Sequence, residues 1–187
     1  MAKHGMMSNT DIILNKIEIV NMAKKHLRFL THLERMCFSL PWSFSSLEAE
    51  LKKEKSIFLV ALKDAIFIKN IPSIPDYCFL PQDNKIITGY IGMQTVCDEG
   101  YITNLAVFPL FRKHGIGKKL LRAILNKAKE QHLKFVSLEV RISNTSAIHL
   151  YKSEGFVTLG KRKKFYTAPY EDALIMTNYI NYTKFLS

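Results

Sequence analysis

A chain of 187 residues, 48% hydrophobic and 23% charged, has enough apolar side chains for one domain with a sizeable core and is too short for two comfortable ones. Lys, Asn or Asp interrupts every apolar run well short of a membrane span, and three scattered cysteines with no CxxC pair argue for a reducing, cytoplasmic setting and against a disulfide framework or a zinc site. The formal charge of +11 favours an anionic partner such as nucleic acid, a polyphosphate cofactor or a ribonucleoprotein surface, although a lysine-rich proteome gives the same balance with no function attached.

Residues 1–15 lack the apolar core and small-residue cleavage site of a secretory signal. They read as a flexible lead-in to a single domain over 16–187. KIEIVN (Lys16 to Asn21) alternates like a first strand, and Leu27, Leu30, Leu33 and Cys37 then recur at helical spacing, with Phe29 and Met36 widening the stripe. Ser45 followed by Glu48 predicts a capping box for the next helix, with Leu47 and Leu51 on its apolar face. SIFLVAL (Ser56 to Leu62) and KIITGYIGMQTV (Lys85 to Val96) are rich in β-branched and aromatic residues and predict strands. Between them a proline-rich insertion, centred on residues 71–82, reads as a loop.

The second half is more regular. YITNLAV (Tyr101 to Val107) predicts a strand that Pro109 ends, and Gly115 to Gln131 a helix with Leu120, Leu121, Ile124, Leu125 and Ala128 on one face. FVSLEV (Phe135 to Val140) is a strand. NTSAIHLYKSEGF (Asn144 to Phe156) is a short helix with Ala147, Ile148 and Tyr151 on one side, closed by Gly155 in the left-handed conformation with Phe156 folded back on the last turn. EDALIMTNYI (Glu171 to Ile180) is a last strand. Strands alternating with helices predict an α/β or α+β fold.

FRKHGIGKKLL (Phe111 to Leu121) joins a strand to a helix through two glycines and several cations. Glycine lets the backbone approach a ligand closely. The first helical N–H groups are unpaired and the helix dipole is positive there, so the turn suits an anion. Arg112, Lys113, Lys118 and Lys119 would repel that dipole unless an anion lay among them. Spacing excludes a Walker A loop, because its first glycine would fall on Arg112 and its Ser or Thr on Lys119. It also excludes a dinucleotide fingerprint, whose third glycine would fall on Leu120. What remains is R-x-x-G-x-G after a strand ending in NLAV.

That turn, with YITNLAV before it and SLEVRISNTSAIHLYKSEGF after it, resembles the acetyl-CoA-binding core of the GCN5-related N-acetyltransferases (GNAT). CFSLPWS, LEVR and EDALIM add a similarity to the ribosomal-protein-alanine N-acetyltransferase branch of that family, over roughly Lys16 to Ile180. The resemblance implies a central mixed, mostly antiparallel sheet flanked by helices, with the strands Tyr101 to Val107 and Phe135 to Val140 parallel and splayed. It implies acetyl-CoA as cosubstrate, no metal, and a protein N-terminal α-amine as acceptor, such as that of a ribosomal protein. Leu105, Ala106 and Val107 would hold the pantetheine arm; Arg112, Lys113, His114, Gly115, Ile116, Gly117 and Lys118 the pyrophosphate; and Asn144 the CoA chain. Glu139 would be the general base, Tyr151 the general acid beside the CoA sulfur, and Trp42 and Tyr166 would border the acceptor.

The residues themselves keep the alternatives open. Glu139 alternates with Leu138 and Val140 on a half-buried strand, which raises a carboxylate pKa and suits a base, or makes it a structural partner of Arg141 or a lysine. Tyr151 serves equally as a core aromatic, Ser143 and Asn144 as helix caps, and Trp42 and Tyr166 as packing residues. GKRKK (Gly160 to Lys164) reads as a solvated hairpin, a site for the CoA 3′-phosphate, or a contact for ribosomal RNA. The insertion around 71–82 leaves room for a different acceptor, such as a lysine side chain, a polyamine or a small metabolite. A basic ribosome- or nucleic-acid-binding module with a vestigial CoA site would share the charge, but not an intact turn with Glu139 and Tyr151 in place.

Overall fold

The computed structural model describes residues 17–65, 79–80 and 83–180. The expected lead-in and almost all of the proline-rich insertion lie outside them. In chain order the elements are β1 (Glu18–Asn21), a 3-10 turn (Lys24–His26), α1 (Leu27–Cys37), α2 (Phe44–Leu51), β2 (Ser56–Asp64), β3 (Phe79–Leu80), β4 (Lys85–Val96), β5 (Glu99–Val107), a second 3-10 turn (Pro109–Phe111), α3 (Ile116–Glu130), β6 (Phe135–Arg141), α4 (Thr145–Ser153), β7 (Val157–Thr167) and β8 (Tyr170–Tyr179).

One sheet carries the strands in the order β1-β2-β4-β5-β6-β8-β7, with β3 joined to β4. Every pairing is antiparallel except that of β5 with β6. The chain reaches β6 from β5 through α3, the long crossover that a parallel pair requires. The mixed, mostly antiparallel sheet expected from sequence is therefore the one observed.

The helices form where their apolar stripes meet this sheet. Leu27 and Leu30 of α1 are fully buried and Leu33 nearly so, each such side chain contributing roughly 1.5–3 kcal/mol. The expected stripe on α3 is buried too, with Ile116 added at its head. The cap of α2 differs from expectation. Ser43, not Ser45, accepts the Ser46 N–H at 3.1 Å and opens the helix at Phe44. The reason is tertiary: Glu34 of α1 accepts the Trp42 N–H at 2.7 Å, which places the turn one residue ahead of Ser43. Glu48 faces Lys24 at 3.7 Å instead of closing a box. Gly155 caps α4 as expected, with φ of +87°, and the Phe156 N–H returns to the Tyr151 carbonyl at 3.0 Å.

Two irregularities in β5 shape the centre of the sheet. The parallel ladder with β6 covers only Glu99 to Tyr101 against Phe135 to Ser137, and beyond it the strands part. On the other edge, Gly92 pairs with Asn104 but Met93 with Ile102, so Thr103 is the extra residue of a β-bulge. Bulges bend a strand and often lie beside active sites. No described helix is long and apolar enough to cross a membrane.

Candidate active site

The parting of β5 from β6 exposes a backbone edge. The Phe108 N–H donates to Thr88 O on β4 at 2.9 Å, so by the alternation of an antiparallel ladder the polar groups of Ala106 also turn toward β4 and those of Leu105 and Val107 toward the gap. Pairing of Ala106 with Tyr90 fits this. Of the three residues expected along the pantetheine, Leu105 and Val107 thus turn backbone groups to the gap, where the Val107 carbonyl is taken by Arg112, whereas Ala106 spends its own inside the sheet.

At the far end of β5 lies the glycine turn. Gly115 has φ of +72° and is the N-cap of α3, and Lys113 is also left-handed at +62°. The first intrahelical bond runs from the Lys119 N–H to Gly115 O at 3.0 Å, which leaves the N–H groups of Ile116, Gly117 and Lys118 without a partner in the helix. This is a fit for a pyrophosphate. Gly117 has a further reason to be glycine: a Cβ there would lie 3.3 Å from Leu150 of α4 and 3.6 Å from Val107, so the missing side chain lets three elements close on one another.

The cations around the turn are less idle than the sequence suggests. Arg112 Nε donates to Val107 O at 3.1 Å and its Nη2 lies 3.3 Å from Cys37 Sγ. Lys118 pairs with Glu154 at 3.0 Å, and Arg122 joins the same carboxylate at 2.7 Å. Protein partners thus offset part of the repulsion that the helix dipole would impose. His114 turns inward, with its Nδ1 buried. Asn144 caps α4, its Oδ1 accepting the Ala147 N–H at 3.2 Å.

Across the gap, Glu139 projects from β6 with its side chain 7% exposed. Its cation is Arg162 of β7, Nη1 to Oε1 at 2.7 Å; Arg141, the other candidate, instead binds Glu171 at 3.0 Å. Burial raises the Glu139 pKa above the usual carboxylate value, and Arg162 opposes that rise. Tyr166 donates its O–H to the Glu139 backbone carbonyl at 3.2 Å. Tyr151 on α4 is buried against Phe156, ring centroids 5.6 Å apart. Burial first, and the nearby Tyr166 second, push its phenol well above the ordinary range. A carboxylate with a raised pKa and a phenol kept protonated therefore share one neighbourhood, linked through Tyr166.

Trp42 lies 6.0 Å from Phe58, which stacks on Tyr90 at 6.4 Å. Sequence reasoning passed over what holds it there. Glu34 is fully buried; beyond the Trp42 N–H it accepts Asn104 Nδ2 at 3.1 Å and the Tyr90 O–H. Burial outweighs these donors and raises its pKa. Arg141, expected only as a partner of Glu139, has a different role. It binds Ser39 Oγ at 3.1 Å, Ala168 O at 2.8 Å and Pro169 O at 3.1 Å, with Tyr166 over its guanidinium at 4.1 Å. It ties the α1–α2 loop to the β7–β8 turn. A signal for Glu34 was present: it is a charge on the apolar face of α1, four residues after Leu30. Arg141 had none for this role, since its hydrogen-bond partners are 27 residues away or more.

A parallel strand pair that opens above a glycine turn, with a buried carboxylate at the opening, suits an enzyme built around a long, thin phosphorylated carrier. The chain belongs to the acetyltransferase (GNAT) family, whose model matches residues 27–156, and acetyl-CoA is its acetyl donor. A Bacillus subtilis (strain 168) protein is 33% identical over 167 residues, 89% of this chain and 97% of that one. The ribosomal protein bS18-alanine N-acetyltransferase of Haemophilus influenzae is 31% identical over 171 residues, 90% of this chain and 99% of its own length. Among solved structures, the ribosomal-protein-S18-alanine N-acetyltransferase from Escherichia coli superposes with a TM-score of 0.71 at 24% identity, over 92% of this chain and 99% of that one. Arabidopsis thaliana NAA60 in complex with acetyl-CoA gives 0.73 at 19%, over 89% and 99%. These two likenesses concern the fold.

Proposed function

We propose that this protein transfers the acetyl group of acetyl-CoA to the N-terminal α-amine of a ribosomal protein, an alanine of the bS18 type, with Glu139 as general base and Tyr151 as general acid. The supporting observation is the near full-length similarity to the Haemophilus influenzae enzyme, joined to a buried carboxylate and a buried phenol at the strand opening.

The chemistry follows from these residues. A protein α-amine has a pKa of about 8 against about 10.4 for lysine, so a modest base is enough to free its lone pair. The amine attacks the thioester carbonyl, whose oxygen takes up negative charge. The Val107 N–H, turned toward the gap, is the donor placed to stabilise it. As the C–S bond breaks, Tyr151 gives its proton to the sulfur. Of the two protons lost by the incoming ammonium, one ends on CoA and the other leaves to solvent through Glu139. Trp42 and Tyr166 flank the acceptor, one held by Glu34 and the other by Arg141. β7 also exposes Lys163 and Lys164, cations that favour contact with ribosomal RNA.

The test is mass spectrometry of an acceptor panel incubated with enzyme and acetyl-CoA. The panel holds N-terminal peptides of ribosomal proteins, including bS18, and lysine peptides with blocked N-termini. Acetyl groups should appear on α-amines, with the bS18 alanine peptide preferred. Labelling confined to lysines would sink this reading.

A further inference from the structure

At the point where β5 and β6 separate, two side-chain oxygens are buried without a hydrogen-bond partner among the described residues: Thr103 Oγ1 and Glu139 Oε2. They come from the two strands that flank the gap. Tyr101 and Ser137 are the last parallel partners, and Thr103 and Glu139 each stand two residues beyond them, on either side of the opening. Thr103 is also the residue that the β5 bulge leaves without a partner on β4. A bulge re-aims the side chain it carries.

Each group on its own is costly. A buried oxygen left unsatisfied forfeits the hydrogen bonds it made to water and recovers none. Glu139 is held so that only one oxygen has this fate: Arg162 fixes Oε1 at 2.7 Å, and Tyr166 anchors the backbone of the same residue. Two orphaned oxygens across one polar gap make a site for a water, which needs roughly 2–4 polar partners. A carboxylate can only accept, and a threonine hydroxyl accepts or donates as its partner requires. Together they leave the water one further direction in which to meet an incoming amine.

We propose that Thr103 Oγ1 and Glu139 Oε2 together hold the water through which the acceptor amine passes its proton to Glu139, which makes Thr103 a positioning residue for the base. This rests on the reading of Glu139 as base given above. An N–H bond of the ammonium breaks as a new O–H bond forms on the water, and the water's own proton moves to Glu139 Oε2. The carboxylate becomes a carboxylic acid, and the freed lone pair attacks the thioester. The acid returns its proton to solvent after acetyl transfer, so nothing is oxidised or reduced.

The variants are Thr103→Val, which keeps the shape and strand preference, Thr103→Ser and Glu139→Gln. Each is assayed for CoA release with a bS18 N-terminal peptide, for acetyl-CoA affinity by calorimetry, and in crystals. The wild-type crystal should show a water within about 3.2 Å of both oxygens, absent in Thr103→Val. Thr103→Val should lose roughly 10-fold in kcat, with peptide KM and acetyl-CoA affinity unchanged, and Thr103→Ser should restore it, whereas Glu139→Gln should lose about 10²-fold or more. No shared water in the crystal, or full turnover in Thr103→Val beside a slow Glu139→Gln, overturns the role of Thr103 and leaves the base standing. A Thr103→Ser as slow as Thr103→Val also overturns it, because the loss then lies in packing. Full turnover in Glu139→Gln overturns the base itself.

Discussion

The proposed acid role of Tyr151 requires that it stay protonated until the thiolate leaves, and burial favours that. Low-dielectric surroundings disfavour the phenolate, so the phenol stays above its ordinary value of 10.0 and the acid form persists throughout the working range. Replacing it by phenylalanine keeps the ring packed on Phe156 and removes only the proton. Tyr151→Phe should lower kcat by roughly 10²-fold while acetyl-CoA affinity, read by calorimetry, stays within about 2-fold. Turnover that survives intact across pH would remove Tyr151 from the mechanism. At this scale the partly buried positions of Glu139 and Tyr151 were legible in the sequence, since alternation and helical spacing place each on its element, whereas their proposed roles rest on the family resemblance. Arg162 was not. It lies 23 residues beyond Glu139, on a strand whose pairing no local pattern announces.

The entry to α1 shows how one element depends on a neutral histidine. His26 ends the 3-10 turn that leads into the helix, and its Nδ1 accepts the Ala23 N–H at 3.0 Å. Burial first, then Lys25, lower its pKa below the ordinary 6.5, with Asp83 opposing. Protonation would place a hydrogen on Nδ1 and break that bond. The folded state therefore binds fewer protons than the unfolded one just below pH 6.5, so stability is present above that value and falls as the pH drops through it. The urea midpoint should drop as the pH is lowered from 7.5 to 5.5, and His26→Gln should flatten the slope in this window, where carboxylates of ordinary pKa hardly titrate. An unchanged slope would place the proton uptake elsewhere. The same helix carries Glu34, whose contacts with Trp42, Tyr90 and Asn104 bind α1 to the α2 cap and to β4 and β5. The displaced cap at Ser43 follows from this, because a serine-rich stretch offers several caps of similar strength and a contact from another helix chooses among them.

For the molecule as a whole, acetyl-CoA is the ligand that spans its parts. In the proposed site the pantetheine edge belongs to β5, the pyrophosphate amides to α3 and the acid to α4, so binding should stabilise all three together. At a concentration 100 times Kd the gain is about 2.7 kcal/mol, which for a chain of this size raises Tm by roughly 5–10 °C. Differential scanning fluorimetry with millimolar acetyl-CoA checks this, and a shift below about 1 °C would contradict the site. The sequence by itself determined most of the elements, though not β7, and the glycine turn as an anion site: apolar periodicity, β-branched runs and glycines that permit one backbone conformation act within a dozen residues and need no knowledge of the rest. Only the tertiary structure decided that Glu139 meets Arg162 and not Arg141, that Lys118 turns to Glu154, that Trp42 hangs from Glu34, and that Thr103 stands out of register at the strand opening. The first and the last of these depend on which strands become neighbours. β8 inserts between β6 and β7, and that order is set by the burial of the whole sheet, not by any segment within it.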